Sequence, residues 1–344
     1  MTSVLLNKMK LKKETIILGL IFLSSFIFQV WYSLKVSFFS SDEAYFNLRN
    51  SEYIIENFVP IFFDKMSYGG NFIANTHLFH YFLALFDLIG NEIIVYKIIP
   101  ALMASSLIII VYLIAKKITN NEYAALFSAL LSAFIPEYIS NTLNQISILS
   151  LFVPLFFLVI YLFIDIKENR KWFLFVATIF ILLEPLNFLM ISTFVLFSFL
   201  IIAESKELKI EELEAMGFFL VFIILVNLIM YKKIYFEQGI GVIWQNLPLE
   251  LYGSLFQDFN IISTIGLIGF APLLMGIIGF VLVKERTKTL LLLIAILLAT
   301  FSLLLLKLIP FNEGLLFLAI ILCISSALSF ERLIQPQNLA KIKL

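Results

Sequence analysis

The sequence predicts an all-α fold, a polytopic membrane bundle of about ten transmembrane helices, on three observations. First, 61% of the 344 residues are hydrophobic and only 14% charged, with a mean hydropathy of +1.02. An ordinary soluble domain carries about 25% charged residues, and no aqueous core could absorb this much apolar surface. Second, apolar runs near 20 residues recur along the chain, the length a helix needs to cross about 30 Å of hydrocarbon. Third, the basic residues fall asymmetrically between those runs, as orientation in a membrane requires.

Ten spans are expected: 15–34, 93–115, 123–139, 146–164, 172–184, 186–203, 217–231, 261–283, 289–309 and 315–330. The first follows Lys8, Lys10, Lys12 and Lys13, as a signal peptide would, but its apolar stretch is too long and no small-residue cleavage site follows it. It reads as a retained span. Segment 172–203 is either one long helix or two short ones meeting at Glu184-Pro185-Leu186-Asn187. Two helices keep 17 of the 24 basic residues on the side of the N-terminus, whereas one would move eight of them across. The N- and C-termini are then cytoplasmic, and the location is a cell membrane. The zero formal charge divides into about −6 outside and +6 inside.

The acidic outer face also holds the two long polar stretches, about 35–92 and 232–260, while the inner connections are short. Long loops between closely spaced helices usually carry function. Residues 1–344 read as a single membrane domain without internal repeat, low-complexity tract or basic nucleic-acid patch. Paired broken helices in two matching halves, expected of an inverted-repeat transporter, are not found. The lone Cys323 lies in an apolar run and allows no intrachain disulfide.

Just past the first span stands Ser41-Asp42-Glu43-Ala44-Tyr45-Phe46-Asn47-Leu48-Arg49, with Tyr45, Leu48, Tyr53, Ile54 and Ile55 near helical spacing. That spacing suggests an amphipathic helix lying along the interface. Asp42 and Glu43 would begin it, as chemical groups or merely as partners of its dipole, with Ser41 or Asp42 as N-cap. A polar turn, Asp64-Lys65-Met66-Ser67-Tyr68-Gly69-Gly70-Asn71, leads to a second short helix beginning His77-Leu78-Phe79-His80-Tyr81.

An acidic pair after span one, an interfacial helix, a Tyr-Gly-Gly turn and a His-Tyr helix together resemble the first outer loop of the GT-C membrane glycosyltransferases. The similarity is greatest over about residues 37–160. Within that superfamily the chain resembles oligosaccharyltransferase catalytic subunits, with dolichyl-phosphate-mannose protein mannosyltransferases and lipid A aminoarabinose transferases as cousins. The resemblance implies transfer of a sugar from a polyprenyl-phosphate-type carrier to an acceptor on the outer leaflet. It also implies that the acid matching Asp42 activates the acceptor or binds a divalent metal such as Mg2+ or Mn2+.

The expected catalytic residues are accordingly Asp42 and Glu43, with Glu137 completing a metal site beside Asp42. Arg49, His77, His80, Lys232 and Lys233 are expected to bind substrate, chiefly the carrier phosphate, and Trp244 to stack on the sugar. Each has a plainer use. Arg49 can bridge to Glu52 or Glu56, the histidines can sit hydrated at the interface, the lysines can snorkel and Trp244 can join the aromatic belt. The sequence departs from the oligosaccharyltransferases at Asn141-Thr142-Leu143-Asn144-Gln145-Ile146-Ser147 and at Val242-Ile243-Trp244-Gln245-Asn246, where those enzymes carry acidic motifs. Their soluble C-terminal domain has no counterpart before Leu344. A GT-C-like protein that only binds the carrier or partners an enzyme, and a transporter of lipid-linked saccharide, are the rival expectations.

Overall fold

The computed structural model describes residues 13–66, 70–72, 76–88, 90–91, 94–184, 187–239, 253, 255–256, 260–282 and 287–334. All ten expected spans fall on helices. These are α1 (Lys13–Lys35), α4 (Ile99–Thr119, entered through a π turn at Ile94–Ile98), α5 (Glu122–Ser132), α6 (Pro136–Thr142), α7 (Leu149–Ile164), α8 (Ile166–Leu183), α9 (Phe188–Ala203), α10 (Ile210–Gln238), α11 (Ile261–Ile268), α12 (Phe270–Leu282), α13 (Lys288–Leu305) and α14 (Phe311–Ile334). Between α1 and the π turn lie α2 (Asp42–Asn57), a two-residue hairpin ladder of β1 (Phe63–Asp64) with β2 (Asn71–Phe72), and α3 (Leu78–Asp87).

Five of the described helices are long and apolar enough to cross a membrane alone, or seven if each bent pair counts once. The other three expected spans fall short for visible reasons. α7 and α9 have 16 residues each, and α8 carries Lys167, Glu168, Arg170 and Lys171 near its start. Two expected spans are bent. α5 and α6 meet at 54°, where Pro136 disfavours helix at Ile135, and α11 and α12 meet at 93° about Gly269, whose φ is +93°. The expected span 217–231 is the middle of a 29-residue helix, α10.

α14 is the central pillar, with 83% of its apolar window buried against 17% for α1. Hydrocarbon offers no hydrophobic gain for helix pairing, so close backbone approach at small residues must hold such helices together. Gly276 and Gly279 of α12 supply it. A Cβ on Gly276 would lie 2.6 Å from the Leu322 carbonyl oxygen, and one on Gly279 would press on that of Ser325. The hydroxyls of Ser325 and Ser329 donate to the carbonyls of Gly276 and Met275 at 2.9 Å each. A second seam is aromatic, with Phe152, Phe156, Phe180 and Phe317 of α7, α8 and α14 in mutual ring contact.

One end of this bundle is built to hold α2 and α3. Lys97 donates to the carbonyls of Ser33 and Val36, closing the end of α1. Asn144, at φ 55°, donates to the Phe38 carbonyl at 2.7 Å, and its own carbonyl accepts from the Ser40 amide. The Thr76 hydroxyl donates to the Leu183 carbonyl at 2.6 Å, supplying a partner to the end of α8.

Candidate functional site

α2 starts on a Ser41 cap whose hydroxyl accepts from the Ala44 amide, placing Asp42 and Glu43 in the first turn. Ala44, Asn47, Asn50, Ser51 and Ile54 are buried, whereas Tyr45 and Tyr53 are exposed. The buried face is thus mostly polar, contrary to the apolar interfacial face expected from the sequence. The reason is its neighbour, because α2 docks on backbone: Asn47 donates to the Ile146 carbonyl at 2.7 Å. Glu43, one turn before Asn47, points the same way. Asp42 is exposed and lines neither chamber described next.

Two chambers meet at Glu43, Ile148 and Glu184. The smaller, about 270 Å3, adds Phe46, Asn47, Thr76, Phe79, His80 and Tyr231. The larger, about 400 Å3, adds Asn187, Glu313 and apolar walls that include Phe152, Phe188 and Phe317. Glu43 reaches solvent through the openings, yet protein surrounds most of it, and that burial raises its pKa above the ordinary carboxylate value. Three donors oppose the shift: the Ile148 backbone, Asn47 and Ser147, the last two at a long 3.5 Å.

His77 and His80 are both buried. His80 Nε2 lies 2.9 Å from Asn47 Oδ1, and since Asn47 Nδ2 donates to Ile146, Oδ1 is the acceptor and His80 carries its proton on Nε2. The His80 Nδ1 lone pair then faces His77 Nδ1 at 3.4 Å, which makes His77 the donor. Burial lowers the pKa of both rings, that of His80 to about 4 with His77 adding to the shift. At neutral pH both are uncharged. Asn47 is the hinge of this chain, receiving from His80 and touching Glu43 with its own amide.

The remaining expected residues are dispersed. Arg49 pairs with Asp64 at 2.6 Å, which ties α2 to β1. Glu137 is buried, accepts from Asn141 at 2.8 Å and lines neither chamber. No group of three or more His, Cys, Asp or Glu able to hold a metal ion occurs among the described residues. Lys232 and Lys233 flank an open groove of about 430 Å3 with Ile229, Met230 and Phe236, directly after the chamber residue Tyr231. Trp244 lies outside the described residues.

Sequence reasoning did not select Asn47, Glu184, Asn187, Glu313 or Tyr231. Glu184 and Asn187 had a signal, an acid and an amide flanking Pro185 between two apolar runs, but they were used only to count spans.

Residues 75–231, just under half of the chain, match the family model of dolichyl-phosphate-mannose-protein mannosyltransferases. No curated protein matches by sequence. By structure, the chain is similar to the oligosaccharyltransferase of the archaeon Archaeoglobus fulgidus in its apo form, with a TM-score of 0.62 at 14% identity over 94% of this chain. The chain has the membrane fold of that GT-C enzyme. The oligosaccharyltransferase AglB of the same archaeon, in complex with an inhibitory peptide and a dolichol-phosphate, gives a TM-score of 0.63 at 14% identity over the same share. The chain spans 51% of the length of either structure. The family match covers Thr76, His80, Ile148, Glu184, Asn187 and Tyr231 of the chambers, while Glu43 and Glu313 lie outside its limits.

Proposed function

We propose that this GT-C protein moves a sugar from a polyprenyl-phosphate-type carrier to an acceptor on the outer face of the membrane, with Glu43 as the base. One observation carries the reading: Glu43 stands where two chambers join, open to ligand from both, with a raised proton affinity. A carboxylate whose pKa is lifted toward the working pH is the better general base. The acceptor's hydroxyl gives its proton to Glu43 as its oxygen attacks the anomeric carbon opposite the phosphate. The bond from that carbon to the phosphate oxygen breaks, its electron pair leaves with the carrier, and the anomeric configuration inverts. Lys232 and Lys233 would meet the carrier phosphate, with Ile229, Met230 and Phe236 beside them for the prenyl chain. The dolichol-phosphate bound by AglB supports a carrier of this kind. Asn47, held by His80, keeps the Glu43 carboxylate turned inward.

The test is the purified chain supplied with short-chain polyprenyl-phosphate sugars, assayed for new glycosidic bonds. Glu43→Gln should cut transfer by about 10²–10⁴, the usual worth of a positioned base. Carrier binding without turnover in the unaltered protein would instead mark a carrier-binding partner. Flux of lipid-linked sugar across vesicles without new bonds would mark a transporter.

A further inference from the structure

We propose that Asn144 is a positioning residue for Glu43, clamping the entry of α2 so that the carboxylate faces the chambers; this rests on the glycosyltransferase reading above. Asn144 is 3% exposed and stands at φ 55°, a conformation that asparagine adopts more readily than most residues. Its Nδ2 donates to the Phe38 carbonyl at 2.7 Å and to the Ser40 hydroxyl at 3.2 Å, while its own backbone carbonyl accepts from the Ser40 amide at 3.1 Å. One residue thus holds the chain just ahead of the Ser41 cap. The residues that follow it grip α2 itself. The Ile146 carbonyl accepts from Asn47 at 2.7 Å, and the Ser147 hydroxyl and the Ile148 amide both donate to Glu43.

These contacts form a closed circuit. Residues 38–40 lead through the cap to Glu43, Glu43 meets Ser147 and Ile148, and the chain before those two returns to Asn144 and its bonds to Phe38 and Ser40. Asn47 holds the helix one turn after Glu43, and Asn144 holds the chain that enters it. With both ends of the first turn tied, the rotation that aims Glu43 inward is fixed. That rotation is decisive, because a slip of one residue turns a helix by about 100° and would present Asp42 in place of Glu43. The bond from Ser147 to Glu43, at 3.5 Å, is too long to hold the setting, whereas the bond from Asn144 to Phe38 is short and made by a buried side chain. A carboxylate at 144 has no N–H for the Phe38 carbonyl and could not make it. Asn144 Oδ1 is buried with no partner, which is costly, so the amide is accounted for by what its Nδ2 holds.

The variants that test this are Asn144→Gly, which keeps the backbone conformation and loses the side chain, and Asn144→Asp, which keeps the size and loses the donor. Gln145→Ala is the neighbouring control. Hydrogen exchange of the full chain in detergent reads the clamp without turnover: amides of residues 40–47 should exchange about tenfold faster in both Asn144 variants, and those of α14 at the original rate. Release of polyprenyl phosphate from short-chain polyprenyl-phosphate hexose reads the reaction. There both variants should lower kcat by about 10–10² with KM within about threefold, since a misplacement of about 1 Å carries a cost of that order. In a Glu43→Gln chain the same substitutions should cost less than about twofold more, because the group they position is gone. Unchanged exchange, a loss confined to KM, or the full loss repeated in the Glu43→Gln chain overturns the assignment. If the original chain releases no polyprenyl phosphate, the glycosyltransferase reading fails and this catalytic role with it, whereas the exchange rates still report separately whether the clamp holds α2.

Discussion

Acid should loosen the fold through His80, and the sign and size follow from its surroundings. An imidazole with an ordinary pKa near 6.5 when unfolded is held near 4 in the folded chain, chiefly by burial. The unfolded state thus binds the proton more readily. The His80 contribution is fully present above about pH 6.5 and is lost as pH falls toward 4. Linkage between those two values removes about 2 kcal/mol by pH 5 and about 3 kcal/mol below pH 4. His77 acts in the same direction, whereas Glu43, with its pKa raised, contributes with the opposite sign as it gains a proton in the folded state. Comparing the chain with His80→Gln cancels these shared terms. Thermal unfolding in detergent from pH 7.5 to 4.5 should show the two stability curves converging as pH falls. Parallel curves would refute both the neutral ring and the tautomer assignment built on it.

Three further outcomes are expected. Gly279→Val should destabilise the α12–α14 seam by about 1–3 kcal/mol, because the added carbons meet the Ser325 backbone; melting temperature in detergent checks this. Replacing Lys232 and Lys233 together by Gln should weaken polyprenyl phosphate binding several-fold and flatten its salt dependence, with no change in thermal unfolding. Arg49→Ala should cost about 1–3 kcal/mol of stability, read as melting temperature in detergent, because it takes the cation from the buried Asp64 carboxylate.

The helices were legible because each expected span is a long apolar run, and hydropathy reads such runs directly. Their roles in the bundle were not. α1 and α14 have similar mean hydropathy, yet one is almost wholly lipid-facing and the other almost wholly buried. Apolar content cannot separate them, since lipid and protein interior are equally apolar. Buried small polar residues do not separate them either: α14 buries Ser325, Ser326 and Ser329 where backbones approach closely, and α1 buries Ser25, Gln29 and Ser33. Neither bend was read: span 123–139 was drawn through Pro136, and a glycine such as Gly269 in an apolar run gives no direction. The larger chamber was hidden for another reason: Glu43, Glu184, Asn187 and Glu313 come from positions spread over most of the chain, and only packing brings them together.

The acidic pair shows the same limit at the scale of one turn. Successive residues on a helix diverge by about 100°, so Asp42 and Glu43 cannot both face inward. The family resemblance put Asp42 first, and Tyr45, Leu48, Tyr53, Ile54 and Ile55 were read as the apolar stripe lying along the interface. In the structure the packed line is Ala44, Asn47, Ser51 and Ile54, which turns Glu43 toward the chambers and Asp42 outward. Small and polar residues face in because the neighbour is backbone and a polar cavity, while aromatic ones face out because the outside is the membrane interface. Asp42→Asn should then leave transfer within a few-fold of the unaltered chain while Glu43→Gln abolishes most of it. The reverse ranking would mean that α2 is rotated by about one residue in the working protein, with Asp42 as the base.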